Sequence, residues 1–595
     1  MANTITSGDL ATFVVKVNGS PVPDTITVYS VHVEKRVNRI AMARIVVLDG
    51  EPNTGEFAAS SSSTFVPGGT VSVEAGYDNT NTVIFSGIIT GQSIRIDELI
   101  GSALEVDCRD DAVKMIVGRK SLTFANQTDS DIISSIIGTY GLSATVTSTS
   151  TSWPEQVQYY ATDWDFVLAR AEANGMIVTT INGTVTVAKP DADTTSVLTI
   201  GYGTGLMEFN ADLNAITQLG SVTASTWDYK NQQVATGAVT NSYTGPGNLS
   251  STTLSQVVGL STYALQTPAP MESADLTNWS NAQLVKSDYS KITGTAKFQG
   301  TSLVEIATYI TLQGLGDRFN GDHFVSGVTH DLSAGNWLTV VNVGMSPEWF
   351  TEEPDVMSPP TSGLLPGVRG LFTGTVKQMY QDPDSQLRIL VNVPLFDPNG
   401  QGLWARLSNF YSTSGAGAFF LPEVGDEVVL GFLNEDPRYP VILGSLYSTN
   451  VQPYNTLSPA EKNPLKAIVS KSGIYVQFDD ENKVLTIMTP SQNEIILSDQ
   501  DKQITIQDQN SNKIVMSSDG ITMQSSKNIT IDAGQSLTLK GAQGITVQSS
   551  GGDVQTSGIN IKETAQSQFS AEGSLTAQMQ GGTELTLKGA MVMIN

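Results

Sequence analysis

Residues 521–547 read ITMQSSKNITIDAGQSLTLKGAQGITV, and their spacing decides the fold of the C-terminal part of the chain. The apolar pairs Ile521/Met523, Ile529/Ile531, Leu537/Leu539 and Ile545/Val547 begin eight residues apart, each split by a threonine. Alternation with period two is strand periodicity, because successive side chains of a strand point to opposite faces. Between the pairs stand Ser, Asn, Asp, Gly and Lys, which favour corners over helices. Upstream, Leu485/Ile487, Ile495/Leu497, Ile504/Ile506 and Ile514/Met516 repeat the motif, so short strands with a corner at each repeat run from Val484 to Asn595. That pattern describes a solenoid.

A strand of this kind offers only about two inward apolar residues, too few for one chain to close a core around an axis. Three copies wound into a triangular prism supply the missing surface, each strand pairing with strands of the other two chains. With roughly 14 strands at about 4.8 Å per step, such a prism is a rigid needle about 65 Å long. The competing reading of the repeat alone is a single-chain β-helix.

The 595 residues allow roughly three to five domains, and abundant Gly, Ser, Thr and Asn with 15% charged residues make the class mainly β. A formal charge of −26 argues against a nucleic-acid partner, whose binding rests on Lys and Arg. The single cysteine, Cys108 in EVDCRDD, excludes an intrachain disulfide and reads as a buried thiol. The N-terminus lacks the basic and apolar regions of a signal peptide, and no apolar run is long enough to span a membrane. The expectation is a protein made in the cytoplasm that leaves, if it leaves, without a cleaved signal.

From Thr12 to Cys108 short alternating strands separated by Gly, Pro and Asp turns suggest a small barrel. Two helices follow, in TDSDIISSIIGTYG and in ATDWDFVLARAEANGM. In the second, Thr162 serves as N-cap with Asp165 at N3, Gly175 lies past the end, and Trp164, Val167, Leu168 and Ala171 share one face. More strands run to about Val343, so residues 1–350 read as a region of tandem β-barrels. Residues 351–367, rich in Pro and acid, read as a linker. Residues 368–450 fit an OB-type barrel, 451–473 a neck, and 474–595 the intertwined needle.

WARLS (Trp404–Ser408), GAFFLPEVGDEVVLGF (Gly417–Phe432) and DPRYPVILGSLY (Asp436–Tyr447) resemble the OB domain of phage tail spikes and of VgrG, the valine-glycine repeat protein of type VI secretion. VQYYATDWDFVLARAEANGM, STWDYKNQ and FNGDHFVSGVTH resemble its hub, and the octads ending in GAMVMIN its needle. The resemblance implies a homotrimeric spike of a contractile injection system, type VI or extracellular and phage-tail-like. Such a spike joins baseplate and Hcp-like inner tube to a membrane-puncturing needle, and is delivered outside the cell or into a target cell. It further implies a small PAAR-repeat protein docked on Met591, Val592, Met593, Ile594 and Asn595, with effector cargo as a further partner.

Little chemistry is expected. No lysozyme domain fits between Tyr447 and Ile474, and GYGTGL (Gly201–Leu206) lacks the spacing of a nucleotide loop. Asp508–Lys513 resembles only the start of a calcium loop, and Asp382 with Asp384 reads as a turn. His32, His323 and His330 are isolated, and none lies in the needle. The iron tip of some relatives, held by paired histidines, is therefore not expected here. No catalytic, cofactor or metal residue is assigned. The alternatives are a β-helical polysaccharide-degrading tail spike, which needs two carboxylates about 5–10 Å apart in a groove, and an adhesin, which needs a receptor-binding head.

Overall fold

The computed structural model describes residues 10–98, 101–454 and 457–594. It forms two compact units that divide after Ser445.

In the first unit a 13-stranded sheet joins two β-modules edge to edge. The N-terminal module runs from Ala11–Val17 to Gly101–Arg109, and its alternating strands turn Val31, Val33, Ile45, Val47, Val73, Phe85, Val106 and Cys108 into one core. The second takes Ser196–Tyr202, Gly205–Leu213, Ile292–Gln299, Tyr309–Gln313, Gly321–Ser333 and Asn336–Val343. Pairing of Tyr309–Gln313 with both Ser196–Tyr202 and Gly321–Ser333 closes these strands into a ring around Leu198, Phe298, Ile310, Val328 and Val341. The modules share a seam where Gly321–Ser333 runs antiparallel to Val28–Arg36.

The two expected helices lie at Asp129–Gly138 and Asp163–Ala173. Thr128 caps the first in a capping box with Asp131, and the Thr162 hydroxyl accepts from the Asp165 N–H at the second. Trp164, Val167, Leu168 and Ala171 are buried as their spacing implies. Two further helices, Ser251–Val258 and Ser273–Tyr289, fall where strands were expected. The longer one buries Asp275, Ser280, Gln283, Lys286 and Ser287 beside Leu276, Ala282, Leu284 and Tyr289, so no continuous apolar stripe announces it. Its Ser280 hydroxyl accepts from Ala224 N–H and donates to the Gly237 carbonyl, fastening the helix to a three-stranded sheet.

Residues 351–367 are not the free tether their composition suggests. Arg119 donates to the carbonyls of Asp355 and Val356, Arg39 pairs with Glu353, and Thr361 is buried. Proline removes regular structure from a segment without removing its packing.

The OB barrel is closed by Phe372–Gln378, Ile389–Asn392, Leu403–Leu407, Pro440–Ser445 and Glu427–Phe432, in that order around the ring. Val376, Ile389, Val391, Ala405, Val428, Leu430 and Ile442 fill it. Closure removes the open edges that a five-stranded sheet would otherwise carry.

The second unit departs from the expectation in two ways. Its first strand, Leu465–Val469, lies inside the segment read as a neck. From there to Gly520–Gln524 seven strands form an antiparallel meander in which each pairs with the next strand of the same chain. Pairing with other chains is thus corrected for residues 465–524. The reason is turn chemistry: Lys483, Gln492, Lys502, Ser511 and Gly520 adopt positive φ, which lets the chain reverse into hairpins. Among the described residues none beyond Gly520 has positive φ, so the later corners bend the chain without reversing it.

Candidate functional site

From Ser526 to Ala590 the backbone bends at 526–527, 534–535, 542–543, 550–552, 559, 566–567, 574–575, 582–583 and 590, with six-residue segments between. Corner glycines are sterically required: a Cβ on Gly541, Gly573 or Gly581 would stand 2.2–2.3 Å from the carbonyl oxygen of residue 544, 576 or 584. Within each segment the second and fourth residues share a face. Those positions hold Ile529/Ile531, Leu537/Leu539 and Ile545/Val547, then Val554/Thr556, Ile561/Glu563, Phe569/Ala571, Ala577/Met579 and Leu585/Leu587.

The large apolar side chains of this stripe are exposed to between 54% (Leu585) and 70% (Val547) in a single chain. Ile521 and Met523, on the last meander strand, are similarly exposed. No strand pairing within the chain is found among the described residues past Gln524. Backbone whose N–H and C=O groups lack ladder partners, beside a continuous apolar stripe, is a surface built to be covered. At the start of the stripe Ile495, Ile506, Ile514, Met523 and Ile529 line a trough of about 670 Å³.

The eight residues expected to form the needle core, Ile521, Met523, Ile529, Ile531, Leu537, Leu539, Ile545 and Val547, are all exposed in the single chain, and the stripe continues beyond them. The later ones escaped the sequence reading because the step lengthens to nine residues from Ile545 to Val554 and shortens to seven from Val554 to Ile561. Ile559 and Leu575 look equally suitable by type, yet they sit at bends and are almost fully exposed. The bend spacing distinguishes them. Met591, Val592, Met593 and Ile594, expected to dock a tip protein, are exposed, while Asn595 lies outside the described residues.

Residues considered for chemistry serve local structure. The Asp508 carboxylate accepts from the N–H groups of Asn510 and Asn512 and from both side-chain amides, and these bonds hold it below the usual carboxylate range. Arg388 clamps Asp382 and Asp384 together, pulling Asp382 well down. His323 Nε2 contacts the Phe319 carbonyl, and His32 pairs with Asp331, which raises its pKa. His330 is enclosed: its Nδ1 accepts from Trp337 Nε1 and faces the Thr339 hydroxyl, and burial holds the imidazole down at about 3. Cys108 is buried, its thiol pushed up to about 12 by desolvation. Gly201–Leu206 is a kink between paired strands. Among the described residues no group of three His, Cys, Asp or Glu is placed to hold a metal ion, and no helix is long and apolar enough to cross a membrane.

Sequence reading also missed the buried ion pairs of the first unit. Lys35 donates to Glu305, Lys286 to Glu172, and Arg170 to Asp129 through two bonds. Each joins segments far apart in sequence, so no local motif marks it.

A family model described as the Alg8 N-terminal domain matches residues 7–334, more than half of the chain. A type VI secretion system/phage-baseplate injector OB domain matches 372–447, and a phage baseplate V C-terminal trimerisation domain matches 484–539. The chain belongs to the Alg8 N-terminal domain family, and its OB and trimerisation domains are similar to those of VgrG and phage-tail hub-and-spike proteins.

Type VI secretion system spike protein VgrG1b of Pseudomonas aeruginosa is 27% identical over 124 residues, 20% of this chain and 17% of that protein. VgrG3 of Vibrio cholerae is 31% identical over 94 residues, 15% and 9% of the two chains. The matched segment thus spans less than a fifth of the length of these curated relatives. Among solved structures, the 43 kDa tail protein of prophage MuSo2 from Shewanella oneidensis is 12% identical, with a TM-score of 0.43 over 57% of this chain and 98% of that one. An Escherichia coli component of the type VI secretion system is 14% identical, with a TM-score of 0.37 over 73% and 99%.

Proposed function

We propose that this protein is the homotrimeric spike of a contractile injection system. Its hub and OB barrel mount on the baseplate and an Hcp-like inner tube, and its needle punctures the target membrane. It works mechanically, without catalysis, and is delivered in an assembled particle outside the cell or into a target cell. The observation that carries the reading is the unpaired, apolar stripe from Ile529 to Leu587, which is continuous with the trimerisation match. Three copies of that stripe facing one axis would bury it and pair its backbone. Light scattering on the purified protein should report three chains, and a stable folded monomer would overturn the proposal.

The exposed methionine-rich end, Met591–Ile594, fits a docking surface for a PAAR-repeat tip protein, with effectors carried alongside. Deleting residues 591–595 should leave the trimer folded and abolish capture of the tip protein. Undiminished capture would place docking elsewhere.

A further inference from the structure

The bend frame assigns one charged residue to the stripe. At the sixteen second and fourth positions from Ile529 to Leu587, the residues are Ile, Leu, Val, Phe, Met, Ala and one Thr, except for Glu563. The other acids of this stretch, Asp532, Asp553, Glu572 and Glu584, stand at different places in their segments. Ile561, two residues before Glu563 on the same face, has an exposure of 55%, like the rest of the stripe. Glu563 therefore shares a face with residues whose burial needs a second copy of the chain.

Its neighbours make room. One step before, the fourth position is Thr556, and one step after it is Ala571, where earlier repeats hold Ile531, Leu539 and Val547. Three longer side chains arriving at one layer need volume, and smaller residues above and below supply it. Thr556 also brings a hydroxyl able to donate to a carboxylate. Lys562, adjacent in sequence, lies on the opposite face by strand alternation and does not neutralise the layer.

We infer that the Glu563 carboxylates of three copies meet at the threefold axis, a like-charge layer inside an otherwise uncharged interface of the needle. This rests on the trimer proposed above and deepens it. A lone charged position in a repetitive interface lowers stability and restricts which partners and registers are accepted, as single buried polar residues do in coiled coils. In an octad repeat, where one strand step resembles the next, such a layer tells one step from another.

The test uses the full chain. Glu563→Gln and Glu563→Leu should each raise the melting temperature of the trimer by several degrees, whereas Glu572→Gln should leave it unchanged. Co-expression of differently tagged wild-type and E563K chains should enrich mixed trimers above the binomial expectation, as read by native mass spectrometry. Equal behaviour of Glu563→Gln and Glu572→Gln, or a binomial mixture of trimers, would overturn the inference while leaving the trimer standing. Monomers in the wild type would instead overturn the trimer itself.

Discussion

The OB barrel and the needle use the same alternating apolar residues and reach opposite ends in a single chain. In the barrel, Val391, Ala405, Val428, Leu430 and Ile442 are wholly enclosed, because five strands curve until the last pairs with the first. In the needle past Gln524, equally apolar stripe residues stay more than half exposed, because no segment there pairs with another among the described residues. Closure within a chain makes a core out of few residues. Closure between chains makes the same residues an assembly surface, and stability then depends on concentration.

The sharpest way to break this comparison is at Ile531. Ile531→Asp should abolish the assembled needle, since three carboxylates would be forced together where burial and like charge both oppose them. Thr530→Asp, on the other face, should change thermal stability by less than about 0.5 kcal/mol. Equal damage from the two would invert the faces.

Leu430→Ala should cost the barrel about 2–5 kcal/mol by opening a cavity. The loss, followed by denaturant unfolding, should not vary with protein concentration, whereas that of Ile531→Asp should.

Acid should separate the units next. His330 is held neutral in the folded first unit down to about pH 3, while in the unfolded chain it protonates near 6.5. The unfolded state thus binds the extra proton within this window. His330 stabilises the fold fully above it, and that contribution is lost as pH falls from 6.5 toward 3. The loss is on the order of a few kcal/mol. His330→Asn should flatten this part of the pH–stability curve.

Gly541→Ala should have a smaller effect, about 1–2 kcal/mol per chain, because the added methyl meets a backbone oxygen that can shift only by opening the corner. Melting of the trimer would measure it.

The needle was legible because period-two pairs recurring at a fixed interval leave few other folds, and the barrel because its strands are short, alternating and bounded by glycine. Helix Ser273–Tyr289 was illegible because polar residues interrupt its buried face and find partners far away in sequence, as Ser280 does on Ala224 and Gly237 and Lys286 on Glu172. The meander was misread because apolar pairs look alike whether the chain reverses or merely bends. The difference lies in φ at Lys483, Gln492, Lys502 and Ser511, residue types that do not announce it. The stripe beyond Val547 was lost when the interval changed by one residue, and only the positions of the bends restore it.

The absence of positive φ beyond Gly520, among the described residues, also bears on the order of folding. A hairpin forms in roughly 1–10 μs from contacts close in sequence, so the meander has local nuclei. Past Gln524 no strand pairing within the chain is found among the described residues, so ordering is expected to wait for an encounter with other copies. The expected kinetics are therefore biphasic. A fast phase independent of concentration belongs to residues 465–524, and a slower, concentration-dependent phase to the remainder, spreading corner by corner toward Ile594.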